Sequence, residues 1–320
     1  MKRRAKAIAL ALAMSAILTL PIAYYWPVQD AYHPLNYGWN GCSEVASTVQ
    51  NTTLVFSHEV QLQESLMAII GPGVEFSKDD SSAVRHFLEA GGIVLLADDF
   101  GTGNSLLRAL GVAANFSGKP LADLLYYDAR PSFPLIVDFS LSPVTANVTT
   151  ILMNGPSYIE VGNSSQVSVL ARSTMFSFID TNRDNQLAMN ESLDSYSVMA
   201  SVKIERGLLI LVSDPGMFVN EMIDFYDNMR LFRNLLKMGG GSLLLDVAHL
   251  SKAPLTDLRT RFKNTIDSIR DAFAFSKWSV YVQSGVAIAL ILGVSLRILM
   301  SAKSGQASRH QGTQSKSSSH

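Results

Sequence analysis

The sequence predicts an α/β protein: a doubly wound, mostly parallel sheet with a β-rich insertion, flanked by two transmembrane helices. Three observations carry that expectation. The continuous apolar runs Ile93-Val94-Leu95-Leu96-Ala97 and Leu208 to Val212 read as strands buried on both faces. Each leads through a polar loop into a segment of helical spacing, the alternation that builds a parallel sheet covered by helices. Residues 7–26 and 278–300 are apolar and carry their basic neighbours on the side away from the middle of the chain.

Each apolar segment has about the 20 residues that a hydrocarbon core of roughly 30 Å requires. Lys2, Arg3, Arg4 and Lys6 precede the first, and Arg297, Lys303, Arg309 and Lys316 border the second. Basic flanks stay cytoplasmic, so the chain is expected to be a two-pass cell-membrane protein with residues 27 to 277 outside, the domain itself being 27–252. Residues 1–6 and a disordered tail, 301–320, would lie inside. A cleaved leader is the rival reading of the first segment, but no small-x-small site follows it. Gly285, Ala289 and Gly293 fall on one helix face, which suits close helix pairing.

Charge follows the same division. Outside residues 1–6 and 297–320 there are 18 basic against 27 acidic residues, a net charge of −9. That balance argues against nucleic acid as a partner and leaves the membrane, a membrane protein or a second copy of the chain. A single cysteine, Cys42, rules out an intrachain disulfide framework. Five Asn-x-Ser/Thr acceptors, at Asn51, Asn115, Asn147, Asn163 and Asn190, fit an external, glycosylated domain.

Along that domain, a helix is expected from Cys42 to about Gln50, and strands at Thr53–Phe56 and Leu66–Ile70. Ser77 caps a helix through Ala90 that stops at Gly91-Gly92. A helix follows at Ser105–Leu110, another at Glu221–Lys237, and a strand at Ser242–Leu245. Residues 112–203 lack helical periodicity and read as a β insertion covering one end of the sheet. Leu255 to Phe273 is an amphipathic helix within a juxtamembrane segment, 253–277.

The run Gly91 to Asn104 (GGIVLLADDFGTGN), Ser213-Asp214-Pro215-Gly216-Met217-Phe218-Val219-Asn220 with Asp227-Asn228, and Leu35-Asn36-Tyr37-Gly38 together resemble domain of unknown function 4350. The resemblance spans roughly residues 34 to 250. It implies a flavodoxin-like sheet similar to that of class I glutamine amidotransferases, shared with extracytoplasmic domains of transport accessory proteins, without implying amidotransferase activity. Members of the family often end the last strand in Asp-Glu-x-His. Here Asp246-Val247-Ala248-His249 keeps the Asp and His but places Val247 at the acid.

Polar residues gather where strands end: Asp98, Asp99, Thr102 and Asn104 after one, Asp214 and Asn220 after another, Asp246 and His249 after a third. In open α/β sheets that edge binds ligands. One reading makes these residues helix caps and loop staples around a binding crevice. The other is a hydrolase in which Asp98 or Asp99 works with His249 as an acid–base pair. Cysteine catalysis is excluded on sequence, because Cys42 follows no buried strand and no Gly-x-Cys-x-Gly elbow occurs.

A second candidate is the loop from Asp180 to Glu191. Asp180, Asn182, Asp184, Gln186 and Glu191 sit at positions 1, 3, 5, 7 and 12 of a calcium loop, which wraps a hard cation in six or seven oxygens. Asn185 replaces the usual Gly at position 6, and an Asx-rich turn is the competing reading. Calcium is the one cofactor expected, with no organic cofactor. The leading functional expectation is a non-catalytic, membrane-anchored scaffold, accessory to a transporter or envelope complex. The alternatives are the hydrolase and a calcium-dependent surface sensor.

Overall fold

The computed structural model describes residues 24–25, 27–49, 52–55, 65–162, 165–251 and 253–274. Fourteen strands occur among them: β1 Thr53–Val55, β2 Leu66–Ile70, β3 Ile93–Ala97, β4 Ala114–Phe116, β5 Leu121–Asp123, β6 Leu135–Ile136, β7 Asp138–Phe139, β8 Ile151–Leu152, β9 Ile159–Val161, β10 Val167–Arg172, β11 Ser177–Ile179, β12 Ser197–Ile204, β13 Gly207–Val212 and β14 Leu243–Asp246. Eight form one sheet in the order β1-β14-β2-β3-β13-β12-β10-β7. From β1 to β13 neighbours run parallel, and from β13 to β7 they run antiparallel.

The sheet is therefore mixed, and this corrects the flavodoxin-like, mostly parallel expectation. Two residues decide it. Only Glu205 and Arg206 separate β12 from β13, and Glu205 takes a φ of 50°. So short a link can join only antiparallel neighbours, whereas a parallel pair needs a crossover. Strands read as a separate insertion thus extend the main sheet, while β5 with β11, β4 with β9 and β6 with β8 make three small ladders.

The apolar runs feed two cores because successive side chains point to opposite faces. Leu66, Ala68, Ile70, Leu95, Ile210 and Val212 pack on one side with Leu231, Phe232 and Leu235 of helix α4, Asn228–Met238. Here α1 is Ser43–Ala46, α2 Lys78–Glu89, α3 Asn104–Leu110 and α5 Pro254–Ala274. Met67, Ile69, Val94, Leu96, Leu209 and Leu211 pack on the other side with Val84, Phe87 and Leu88 of α2 and Leu106 and Leu107 of α3. Ser77 starts α2 with a reciprocal capping box to Asp80, and Gly111, left-handed at φ 73°, ends α3.

Helix α1 stops at Ala46, short of the expected Gln50. The hydroxyls of Ser47 and Thr48 donate to the carbonyls of Glu44 and Val45, and Thr52 donates to Ala46 O, so side chains satisfy the acceptors that another turn would use. Helix α4 begins at Asn228 instead of Glu221, because Tyr226 has a φ of 47°, outside the helical region.

The expectation of two transmembrane helices, and the two-pass membrane localisation drawn from it, is also corrected. No helix among the described residues is long and apolar enough to cross a membrane. Helix α5 has the length, but it carries Asp257, Arg259, Arg261, Lys263 and Asp267. The apolar stretches at 7–26 and 278–300 lie outside the described residues except for Tyr24 and Tyr25, as do Asn51 and Asn163. The chain parts into two units after Thr260. In the second, Lys263 pairs with Asp267 one helical turn on.

Candidate functional site

The strand-end polar residues were open to two readings, loop staples around a crevice or a hydrolase pair, and most of their carboxylates are spent on the protein's own backbone. Asp98 Oδ1 accepts from Phe100 N at 3.0 Å and Gly101 N at 3.2 Å, while Oδ2 accepts from Gly103 N at 2.6 Å. Asp214 Oδ1 accepts from Gly216 N and Oδ2 from Asn154 N, each at 2.6 Å. Asn104 holds both the N–H and the carbonyl of Phe116 at 2.9 Å, which ties β4 to α3. Asn220 donates to Asn36 O and Gly38 O and accepts from Glu44 N, clamping the loop that precedes α1. Thr102 is half-buried, and its carbonyl accepts from Ser105 Oγ.

Two of these carboxylates, Asp99 and Asp214, also bear on each other electrostatically. The β3–β13 register ends at Ala97 opposite Val212, and both residues follow in the loops that leave these strand ends. Burial, and then the charge of Asp98, push the Asp99 carboxyl up to about 7. Burial, with the charge of Asp99 adding to it against the backbone N–H groups, pushes Asp214 up to about 8. Burial also raises Asp98 against its three N–H donors. Tyr32 joins the pair: burial and then the charges of Asp99 and Asp214 raise its phenol. Its ring fills the space over Gly71, where an added Cβ would stand 2.3 Å from Tyr32 Cδ2.

His249 is not brought to these groups. Its Nδ1 lies 2.9 Å from Asp246 Oδ2, its Nε2 lies 3.4 Å from Asp80 Oδ2, and its ring stacks on Phe76 at 3.8 Å. Burial opposes its charge, but the hydrogen bond and charge of Asp246 and the charge of Asp80 hold it above the usual histidine value. Burial would raise Asp80, but the hydrogen bonds of Ser77, and after them the charge of His249, hold its carboxyl below the usual value. Both ring nitrogens are thus committed between β14 and the start of α2, where no base is left for a substrate.

Cys42 is buried, its Sγ donates to Phe218 O at 3.5 Å, and burial raises its thiol. It offers no thiolate. In the loop from Asp180 to Glu191, Asp180 accepts from Asp184 N and Asn185 N, Asp184 from Gln186 N, and Glu191 from Thr181 N and Ala188 N. Asn182 donates to Asp184 Oδ2, and Arg183 and Asn185 both take a φ of 60°. Among the described residues no group of three or more His, Cys, Asp or Glu is arranged to hold a metal ion. Asn115, Asn147 and Asn190 are all exposed.

Three of the participants were not legible in sequence. Tyr32 belongs to no motif, and Asn154 acts only through its backbone N–H. Asp80, in the first turn of the helix that Ser77 caps, was not singled out, and nothing in the sequence marks it as a partner of His249.

The geometry defines an α/β domain with a mixed sheet whose strand-end carboxylates brace its own loops. The chain belongs to the family described as Domain of unknown function (DUF4350), whose model matches residues 34–236. Over 68 residues it is 32% identical to the "Uncharacterized protein in nifH1 5'region" of Methanothermococcus thermolithotrophicus, covering 20% of this chain and 70% of that one. Among solved structures it is similar to the mmIFT52 N-terminal domain, at a TM-score of 0.43 and 16% identity over 55% of this chain and 77% of that one. A putative ThuA-like protein from Bacteroides uniformis gives a TM-score of 0.33 and 15% identity over 55% and 69%. Neither likeness is close enough to argue function from.

Proposed function

We infer that this chain is a non-catalytic binding domain that presents an aromatic loop surface to a protein partner. The observation that carries this reading is the engagement of the strand-end groups: Asp98, Asp214, Asn220 and His249 all have internal partners. A general base has to reach a substrate proton, and a nucleophile has to reach the reacting atom. The resemblance to glutamine amidotransferases then concerns scaffold alone, since Cys42 is sealed in the core.

The binding side of the reading rests on exposed aromatics in neighbouring loops. Tyr37 and Trp39 are exposed, and Glu221 N donates to Trp39 O at 3.1 Å, which puts that loop against the one carrying Phe225 and Tyr226. Tyr226 donates to Asp128 at 3.3 Å, close to the exposed Tyr126 and Tyr127. Clustered exposed aromatics on a globular domain mark interaction sites, and Tyr and Trp are enriched among residues that dominate interfaces.

Two measurements test the reading. Wild type and Asp99→Asn are assayed on chromogenic esters, phosphates and glycosides; turnover by wild type that the variant loses would replace the binding reading with the hydrolase. Partner capture is then compared between wild type and a Trp39→Ala, Tyr226→Ala variant of unchanged melting temperature. A partner retained by both equally removes the aromatic surface from the proposal.

Calcium stays a separate proposal for the Asp180–Glu191 loop, supported by the spacing of its oxygen donors. A saturable rise in melting temperature on adding calcium, abolished by Asp184→Asn, supports it. No rise in calcium relative to chelator sinks it, because a ligand of the folded state must stabilise that state.

A further inference from the structure

Helix α5 buries a polar face within the first unit. Thr256, Arg259 and Thr260 are 8%, 9% and 0% exposed. Thr260 is fully accounted for. Leu35 N donates to His33 Nδ1 at 3.0 Å, which leaves the imidazole proton on Nε2, 3.1 Å from Thr260 Oγ1. The Thr260 hydroxyl then donates to Thr256 O at 2.7 Å.

Arg259 is not accounted for. Its Nε and Nη1 are sealed from solvent and have no hydrogen-bond partner. A guanidinium keeps its charge at any physiological pH, so it cannot escape burial by losing a proton. Buried charges are retained where they are paired, and an unpaired one is among the costliest arrangements a fold can hold. The groups that bear on it electrostatically are Tyr37 and Tyr24, and burial holds the guanidinium below its usual value against both. Phenols are neutral at physiological pH and cannot neutralise it. Asp30, in the turn facing the start of α5, has its Oδ1 on Ala253 N at 3.1 Å.

We propose that Arg259 is the receptor for an oxyanion, a carboxylate or phosphate group supplied from outside the described fold. The planar fork of donors suits such groups better than any other common ligand chemistry. Tyr37 lies in the loop that Asn220 clamps, so occupancy of the site would also bear on the aromatic surface beside it.

The test uses the full chain, with inorganic phosphate and acetate titrated separately at ionic strength held constant with NaCl. Wild type should gain melting temperature along a saturating curve with one or both anions, phosphate or acetate distinguishing the two chemistries. Arg259→Met should lose that response and, with the unpaired charge gone, melt higher than wild type when no anion is added. In 15N-labelled wild type the Arg259 Nε–H signal should shift with the same anion, a reading that stands even if the variant does not fold. No saturable response to either anion, a response that Arg259→Met retains, or an unmoved Nε–H signal overturns the proposal.

Discussion

His249 and Asp246 meet at 2.9 Å, from Nδ1 to Oδ2, and this contact fixes the exit of β14 against the start of α2, where Asp80 takes the other ring nitrogen. The His249 carbonyl also accepts from Gly73 N and Val74 N, so one residue joins the exits of two parallel strands to a helix N-terminus. A cation held there also suits the two carboxylates, Asp79 and Asp80, in the first turn of α2.

This joint gives a pH dependence of definite sign. The folded value of His249 is raised, so its contribution is fully present below the unfolded histidine value of about 6.5 and is lost as pH rises through the folded value. His249→Gln should cost about 2 kcal/mol at pH 6, from the hydrogen bonds to charged groups that it removes, and less at pH 9. Urea melts of both proteins at the two pH values measure this. An equal cost at both would remove the charged state from the account.

Asp99 and Asp214 act in the same direction for a different reason. Their folded values of about 7 and about 8 lie above the unfolded carboxylate range, so the folded chain holds extra protons. Their contribution is present below about pH 4 and is lost as pH rises through 7 and 8. Asp99→Asn removes the neighbouring charge that helps raise Asp214. It should flatten the fall in melting temperature between pH 5 and 9, and an unchanged slope would show that the two carboxylates do not interact.

Asp98 is a loop staple, and its replacement should be felt in stability alone. Asp98→Ala strands the buried N–H of Gly103 and removes the acceptor of the Phe100 and Gly101 N–H groups, and should cost about 2 kcal/mol by chemical denaturation. A cost below about 1 kcal/mol would mean that solvent reaches that turn.

Asn228 makes the corresponding test on the other core. Fully buried, it accepts from Leu152 N at 3.0 Å and donates to Leu152 O and Met222 O, so it fastens β8 to the start of α4. Asn228→Ala should cost about 3 kcal/mol, while Asn228→Asp, which keeps the acceptor and loses both donations, should also destabilise. Retained stability in the Asp variant would show that the acceptor alone matters.

What was legible in sequence depended on local patterning. The runs at 66–70, 93–97 and 208–212 read as strands, Ser77 as a helix cap, and Gly91-Gly92 as the stop of that helix. Asp98, Asp214 and Asn220 could be singled out because polar residues after buried strands are either ligands or staples. Sequence could not choose between these roles, since the choice rests on which backbone N–H groups face each carboxylate. Tertiary structure also decided the partners of His249, which come from Asp80, some 170 residues away, and from Asp246. It made the sheet mixed through a two-residue link, and it left Nε and Nη1 of Arg259 without an acceptor among the described residues. Periodicity and capping are set by neighbours along the chain. Pairing of charges and the direction of strands are set by neighbours in space, and those follow only once the cores on both faces have packed.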